Sequence, residues 1–442
     1  MKKKLLYFLL LIVSWSDILG QVSFTSVTIE DVDMPAAKGM VRSWKPNFAV
    51  AYQTDGTNHY FSIIENYNTV MKSVKFSGNI TVEDMQILGD TLYFCGSHNG
   101  EGFIDWIKVS DIYDASVSNS QGVKFRLDTT LPYTVSRMAV YYDGEGEPHI
   151  AAAGYWRDRI VANFYGSDTS YYIISRNFLV EIQDLSGSFV VQWATTNNDG
   201  SLIEGTINDV VATDNYVAFV GLNNDYSKLS IRRADKYSVF MSGYRIYDYN
   251  CLTMCKPVAT AMNDDNIAVA TSYEINPSVS NRIEIRSFKL GTMNMYDAQG
   301  FLAPDKSTAE DIIYVPRQNK LLLVPMLWQT TGAHYPVIYI DPGRSTPYNA
   351  PTVTPTSILS SHINLYDNDY FLLGGGGKVF AHFISSLDPN DNCISIGDYK
   401  MEAIEEVNYV EKRKNVSGTG SVTHSIIMNP TDHHYIPLCI FQ

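Results

Sequence analysis

Four carboxylates in this chain have the chemistry of an acid–base pair. Asp84, Asp209 and Asp311 each open a short apolar stretch at matching points, and Glu310 precedes the last of them as Glu83 precedes Asp84. Hydrolysis or elimination at a sugar needs an acid and a base or nucleophile about 5–10 Å apart. Neighbours along a strand face opposite sides, so Glu310 and Asp311 would diverge, and a working pair has to be drawn from different strands. Arg137, His362 and His424 hold the same position in other copies of the stretch. A residue type that recurs in every copy serves the fold, whereas one that breaks the pattern is free to serve a ligand. These three odd members are therefore the better binding candidates. For the carboxylates the competing account is structural: a carboxylate at the start of a strand accepts backbone N–H bonds and orders the bend.

The element that must position these residues is a β-hairpin of about a dozen residues. Its clearest copies run from Asp84 to Gly96 and from Asp209 to Gly221, with further copies from Ala259 to Thr271 and from His362 to Gly374. Looser copies start at Gly39, Arg137, Asp311 and His424. Each is a polar residue, an apolar run, a tight polar turn, a second apolar run and a small residue, which is a hairpin signature. A period near fifty residues marks repeat architecture. More strand material follows each hairpin, as in Gly102–Val109 and Gly122–Leu127, so every unit carries four antiparallel strands. The longest step, from Arg137 to Asp209, predicts an inserted loop or an extra hairpin around Asp168 to Gly187.

Composition narrows the function classes. Residues 1–20 combine Lys2, Lys3 and Lys4 with the apolar run Leu5 to Val13 and end at Gly20, the pattern of a cleavable secretory signal peptide. Residues 21–442 are then one domain, secreted or periplasmic, and expected to be a monomer. The chain has 33 basic and 47 acidic residues for a net charge of −14, and removal of the leader makes it −16. Such a surface repels phosphates, which excludes nucleic acid as a partner. Five cysteines are too few for a disulfide scaffold. Cys251 could bridge Cys255, and Cys393 could bridge Cys439, while Cys95 is expected as a buried thiol.

Taken together, the hairpin repeats resemble the β-propeller superfamily, in the company of the WD-repeat, kelch and quinoprotein propellers, at the level of architecture alone. The resemblance implies an all-β fold of four-stranded antiparallel blades. Eight are favoured and seven are the alternative, with the ring closed by pairing N- and C-terminal strands. It also implies that the start of each first strand and the loop after each second strand share one face of the ring. On that face the aromatic and charged residues Trp156, Arg157, Tyr226, Tyr273 and Trp328 would rim a channel mouth. Flat aromatic faces and polar side chains there suit a glycan, a peptide or an extracellular protein.

Other motifs argue against alternatives. No Gly-x-Ser-x-Gly elbow and no Cys-x-x-Cys-His segment occurs, so neither a serine-hydrolase elbow nor c-type haem attachment is encoded. Asn263–Asn266, Asp367–Asp369 and Asp388–Asn392 concentrate oxygen ligands and admit structural calcium, but Asn and Asp are equally the residues of tight turns. His433 and His434 are neighbours that diverge on a strand, so no metal site is expected from them and no cofactor is assigned. The reading is of a binding protein rather than an enzyme, with a polysaccharide hydrolase or lyase using Asp84, Asp209, Glu310 or Asp311 as the alternative. A structural module of a surface assembly is the third reading.

Overall fold

The computed structural model describes residues 26–441 except 34–37, 46–47, 66–69, 127–130, 143–145, 166–167, 184–189, 195–202, 205, 223–227, 236–243, 252–258, 277–279, 305, 330–331, 345, 357–361, 367–368, 376–377, 404–408 and 415–419. Strands dominate. Among the described residues only one short α-helix, Val109–Tyr113, and one 3-10 turn, Pro316–Gln318, interrupt them. The leader at 1–20 lies outside the described residues, as do Tyr226 and Cys255.

Seven of the eight hairpins read from the sequence are present, those opening near Gly39, Asp84, Arg137, Asp209, Ala259, Asp311 and His362. The first unit is built from Lys38–Lys45, Phe48–Thr54, Asn58–Glu65 and Val70–Ser77, paired in that order and antiparallel throughout. Six further units begin with Ile80–Leu88, Tyr133–Tyr142, Thr206–Ala212, Ala259–Met262, Thr308–Val315 and His362–Tyr366. Each of these seven first strands packs against the next, and His362–Tyr366 packs against Lys38–Lys45, so their contacts form a cycle. The extra residues between Arg137 and Asp209 lengthen one hairpin, Pro148–Tyr165 with Asp168–Gln183, which stays paired out to Tyr165 opposite Asp168.

Seven hydrophobic clusters follow the same cycle, one between each consecutive pair of units. Val50, Phe61 and Phe76 of the first unit meet Phe94 and Phe103 of the second. On the other face of the first unit, Val41, Ala49 and Ala51 meet Leu372, Val379 and Ala381 of the seventh. Alternate residues of a strand face opposite sides, so a strand such as Thr91–His98, with its burial pattern iBBBBBii, is apolar on both. That explains the continuous apolar runs in the sequence. Fully burying each such Phe contributes roughly 2–3 kcal/mol.

The termini are woven into the edges. The N-terminal strand Ser26–Asp31 pairs with Lys378–Phe383 and supplies the fourth strand of the seventh unit. It also pairs with the C-terminal strand Asn429–Phe441, the terminal pairing expected from the sequence. The described strands between Ile394 and Phe441 then lie along the outer edges of nearly every unit. Ile394–Ala403 pairs with Tyr348–Pro355 of the sixth unit and touches Met295–Pro304 of the fifth. Tyr409–Lys414 pairs with Tyr244–Asn250 of the fourth unit, and Gly420–His424 with Gln121–Arg126 of the second. Asn429–His434 pairs with Val70–Ser77 of the first unit, and Tyr435–Phe441 with the N-terminal strand. An unpaired outer strand presents open N–H and C=O groups, and this belt satisfies them.

His424 therefore does not open an eighth first strand. It ends an edge strand of the second unit, and its polar-then-apolar pattern came from packing Ile426 and Met428 under that edge. Cys393, where the belt begins, is disulfide-bonded to Cys439 near its end, with Cα atoms 5.7 Å apart. Cys251 is also disulfide-bonded. Cys95 is a buried free thiol, as expected, and burial pushes its pKa well up.

Candidate functional site

Asp84, Arg137, Asp209 and Asp311 occupy one structural position. In each of their strands the pairing register slips immediately before the residue, between Val82 and Asp84, Val135 and Arg137, Ile207 and Asp209, and Ala309 and Asp311. Such a bulge re-aims the side chain that follows it. The four side chains line one central cavity of about 190 Å³ together with Arg42, Asn208, Thr260, Glu310 and Asn364.

What the aspartates do there is uniform. The Oδ1 atom of each accepts the N–H of its own next residue, Met85, Val210 or Ile312, at 2.8–2.9 Å. The Oδ2 atom reaches into the following unit and accepts the N–H of Met138 at 3.1 Å, Thr260 at 2.8 Å or Ile363 at 2.9 Å. Units two, four and six thus each staple themselves to units three, five and seven. The bland account of the recurring carboxylates is the one the geometry carries, and no aspartate of the three keeps an oxygen clear of the backbone. Glu310 accepts the Thr308 hydroxyl.

Charge in the cavity is held by two arginines. Arg42 donates to Asp84 Oδ1 at 3.2 Å and to the Met85 carbonyl at 2.8 Å. Arg137 donates to the Ser136 carbonyl at 2.8 Å. Burial works against its charge, but the carboxylates of Asp84, Asp209 and Asp311 outweigh that and raise its pKa. Burial pushes the Asp209 carboxyl up to about 7, against the pull of Arg137 and with the help of the Asp311 and Asp84 charges.

The expected aromatic rim is dispersed. Trp156 is buried at 8% exposure against Phe178, and Tyr273 at 2% with its hydroxyl on Glu284. The strands carrying them, Pro148–Tyr165 and Asn266–Asn276, continue past the point where a loop was expected, which turns both rings into the sheet packing. Among the described rim residues, Trp328 is exposed, at 43%. His362 and Arg157 lie on described strands, but their side chains, like Tyr226 as a whole, lie outside the described residues.

His424 sits away from the cavity. Its Nδ1 is 2.7 Å from Asp105 Oδ1 and its Nε2 is 2.9 Å from His98 Nδ1, while Ser120 donates to the other Asp105 oxygen at 2.5 Å. Burial raises the Asp105 pKa and the His424 contact opposes it. This chain fastens the belt to the second unit.

Sequence reasoning missed the wider opening. At the opposite end of the first strands a cavity of about 670 Å³ is lined by Thr213, Asp214, Asn263, Asp264, Asp265 and Tyr314, among others, and shares Thr260, Ile312, Ile313 and Asn364 with the smaller one. Asp214, Asp264 and Asp265 are exposed. These residues were visible in the sequence as turn formers. Asn263 Oδ1 does accept the N–H groups of Asp265 and Asn266, and Asp388 and Asp391 cap their own turn in the same way. Asp367 lies outside the described residues.

Comparison with protein-family models and with curated proteins finds no match. Among solved structures, the chain is similar to an uncharacterized protein from Listeria monocytogenes EGD-e at 13% identity and a TM-score of 0.38, over 77% of this chain and 89% of that one. It is also similar to a structure from a study of two prolyl endopeptidases, at 9% identity and a TM-score of 0.40, over 84% of this chain. There it spans 51%, about half, of the other chain's length.

Proposed function

We propose that the chain is an exported, seven-bladed β-propeller that binds a glycan, peptide or protein partner and does not catalyse a reaction. Support for seven blades comes from the cycle of seven first strands and the seven clusters between them. The observation that carries the binding reading is the opening of about 670 Å³ at the turn end of the first strands. Ligand pockets commonly span about 300–1,000 Å³. Its rim of Asp214, Asp264, Asp265, Thr213 and Asn263 suits hydroxyl-rich or cationic ligands, and Tyr314 offers a flat face for stacking. The polysaccharide hydrolase reading has less support, since an acid–base pair needs carboxylate oxygens that the three aspartates direct at backbone N–H groups.

A glycan array combined with a panel of basic and neutral peptides tests the proposal. Wild type is expected to retain at least one ligand class, and Asp214→Asn/Asp264→Asn to weaken it tenfold or more. Trp328→Ala is expected to leave it unchanged. Loss with Trp328→Ala and retention in the double variant would place the ligand on the other face. Sugar release from a polysaccharide panel would return the hydrolase.

A further inference from the structure

At the seam where the two termini meet, Asp31 and Asp33 converge with His433. Asp31 ends the N-terminal strand, and its Oδ1 accepts the Asp33 N–H at 2.9 Å, curling the chain so that both carboxylates face the C-terminal strand. One ligand atom from each of Asp31, Asp33 and His433 lies within 4.8 Å of the others. Asp31 Oδ2 is 3.2 Å from His433 Nδ1, and Asp33 Oδ2 is 3.8 Å from His433 Nε2. The last distance is too long for a hydrogen bond and of the size that separates two ligands of one metal ion.

The ring of His433 is fixed in this orientation. It stacks on Tyr60 with centroids 4.3 Å apart and meets Tyr435 edge-on at 6.0 Å. His433 is 2% exposed, and its Nε2 has no hydrogen-bond partner. A buried donor or acceptor without a partner costs about 1–3 kcal/mol, so an unpartnered nitrogen 3.8 Å from a carboxylate needs a reason. His434 does diverge from His433, as strand neighbours must, and is exposed. Its N–H and Nδ1 nevertheless both hold Asp33 Oδ2, at 3.0 and 3.3 Å.

We propose that Asp31, Asp33 and His433 bind a divalent transition-metal cation of the zinc class at this seam. One imidazole nitrogen with two carboxylate oxygens is a zinc-type donor set, with water completing the coordination. His434 acts as a positioning residue that aims the Asp33 carboxylate. Since Asp31 and Asp33 come from the N-terminus and His433 from the C-terminal strand, the cation clasps the two ends of the chain.

The full-length mature protein, stripped with chelator and dialysed against Zn²⁺ or Co²⁺, tests this. One equivalent should bind, Co²⁺ should show visible d–d absorption, and saturation at about a hundredfold over Kd should raise Tm by roughly 3 °C. Asp33→Asn and His433→Gln should each abolish the uptake and the shift. His434→Gln should weaken uptake without abolishing it. Should His433→Gln not fold, Asp33→Asn, which alters a half-exposed side chain, decides. No stoichiometric uptake by wild type, or undiminished uptake by Asp33→Asn, overturns the proposal.

Discussion

Asp209 Oδ2 accepts the backbone N–H of Thr260 at 2.8 Å, joining the first strands of two successive units. The carboxyl is held at a pKa of about 7 by its burial, against the nearby Arg137. In the unfolded chain it titrates near 3.8, so between these values the folded state holds a proton that the unfolded state has lost. Stability linked to this group is full below about pH 4 and declines as pH rises through about 7. Asp209→Asn keeps one acceptor and orphans one N–H, a cost of ~2 kcal/mol. Its Tm should lie below wild type at pH 5, and the gap should narrow by pH 8. A gap that is constant from pH 5 to 8 would falsify the raised pKa.

Arg137 is the cation that three carboxylates face. Arg137→Gln should destabilise the fold by about 3 kcal/mol at pH 8 and by less at pH 5, where Asp209 is protonated. Chemical denaturation at both pH values reads the difference, and equal losses would mean that Arg137 acts through packing.

The Cys393–Cys439 bond closes a loop with a sequence separation of 46 residues. By loop-closure entropy such a bond stabilises by about 4 kcal/mol. Cys393→Ser/Cys439→Ser should lower the denaturation midpoint accordingly. Intact-mass analysis with and without reductant should show this bond in the wild type, and a midpoint unchanged in the variant would argue against its holding the belt end in place.

Gly154 lies opposite Val135, where an added Cβ would strike the Phe178 ring and the Thr134 carbonyl. Backbone cannot yield as a flexible side chain can, so Gly154→Ala should cost about 2–3 kcal/mol. Gly291, with open space around its Cβ position, should accept alanine. Thermal melts of the two variants compare them directly, and equal melts would contradict the close approach at Gly154.

Much of the local design was legible in the sequence, because hairpin turns and apolar runs are short-range signals. The structural role of Asp84, Asp209 and Asp311 could be read from their recurrence alone. Longer-range features were not. The edge strand ending at His424 mimics a repeat start, since any strand that buries one side shows a similar pattern. Trp156 and Tyr273 looked like loop residues because the sequence period does not reveal how far a strand runs. The convergence of Asp33 with His433 depends on two segments about 400 residues apart, a separation that no local pattern spans.

The belt has a consequence for how the molecule comes into being. Among the described residues, every unit but the third carries an added edge strand from residues 394–441, and the seventh also takes its fourth strand from Ser26–Asp31. In most repeat proteins loss of a terminal copy leaves a shorter but sound array. Here a product missing its last fifty residues would bare edges on six units at once, so synthesis yields either the finished article or a conspicuous substrate for proteolysis.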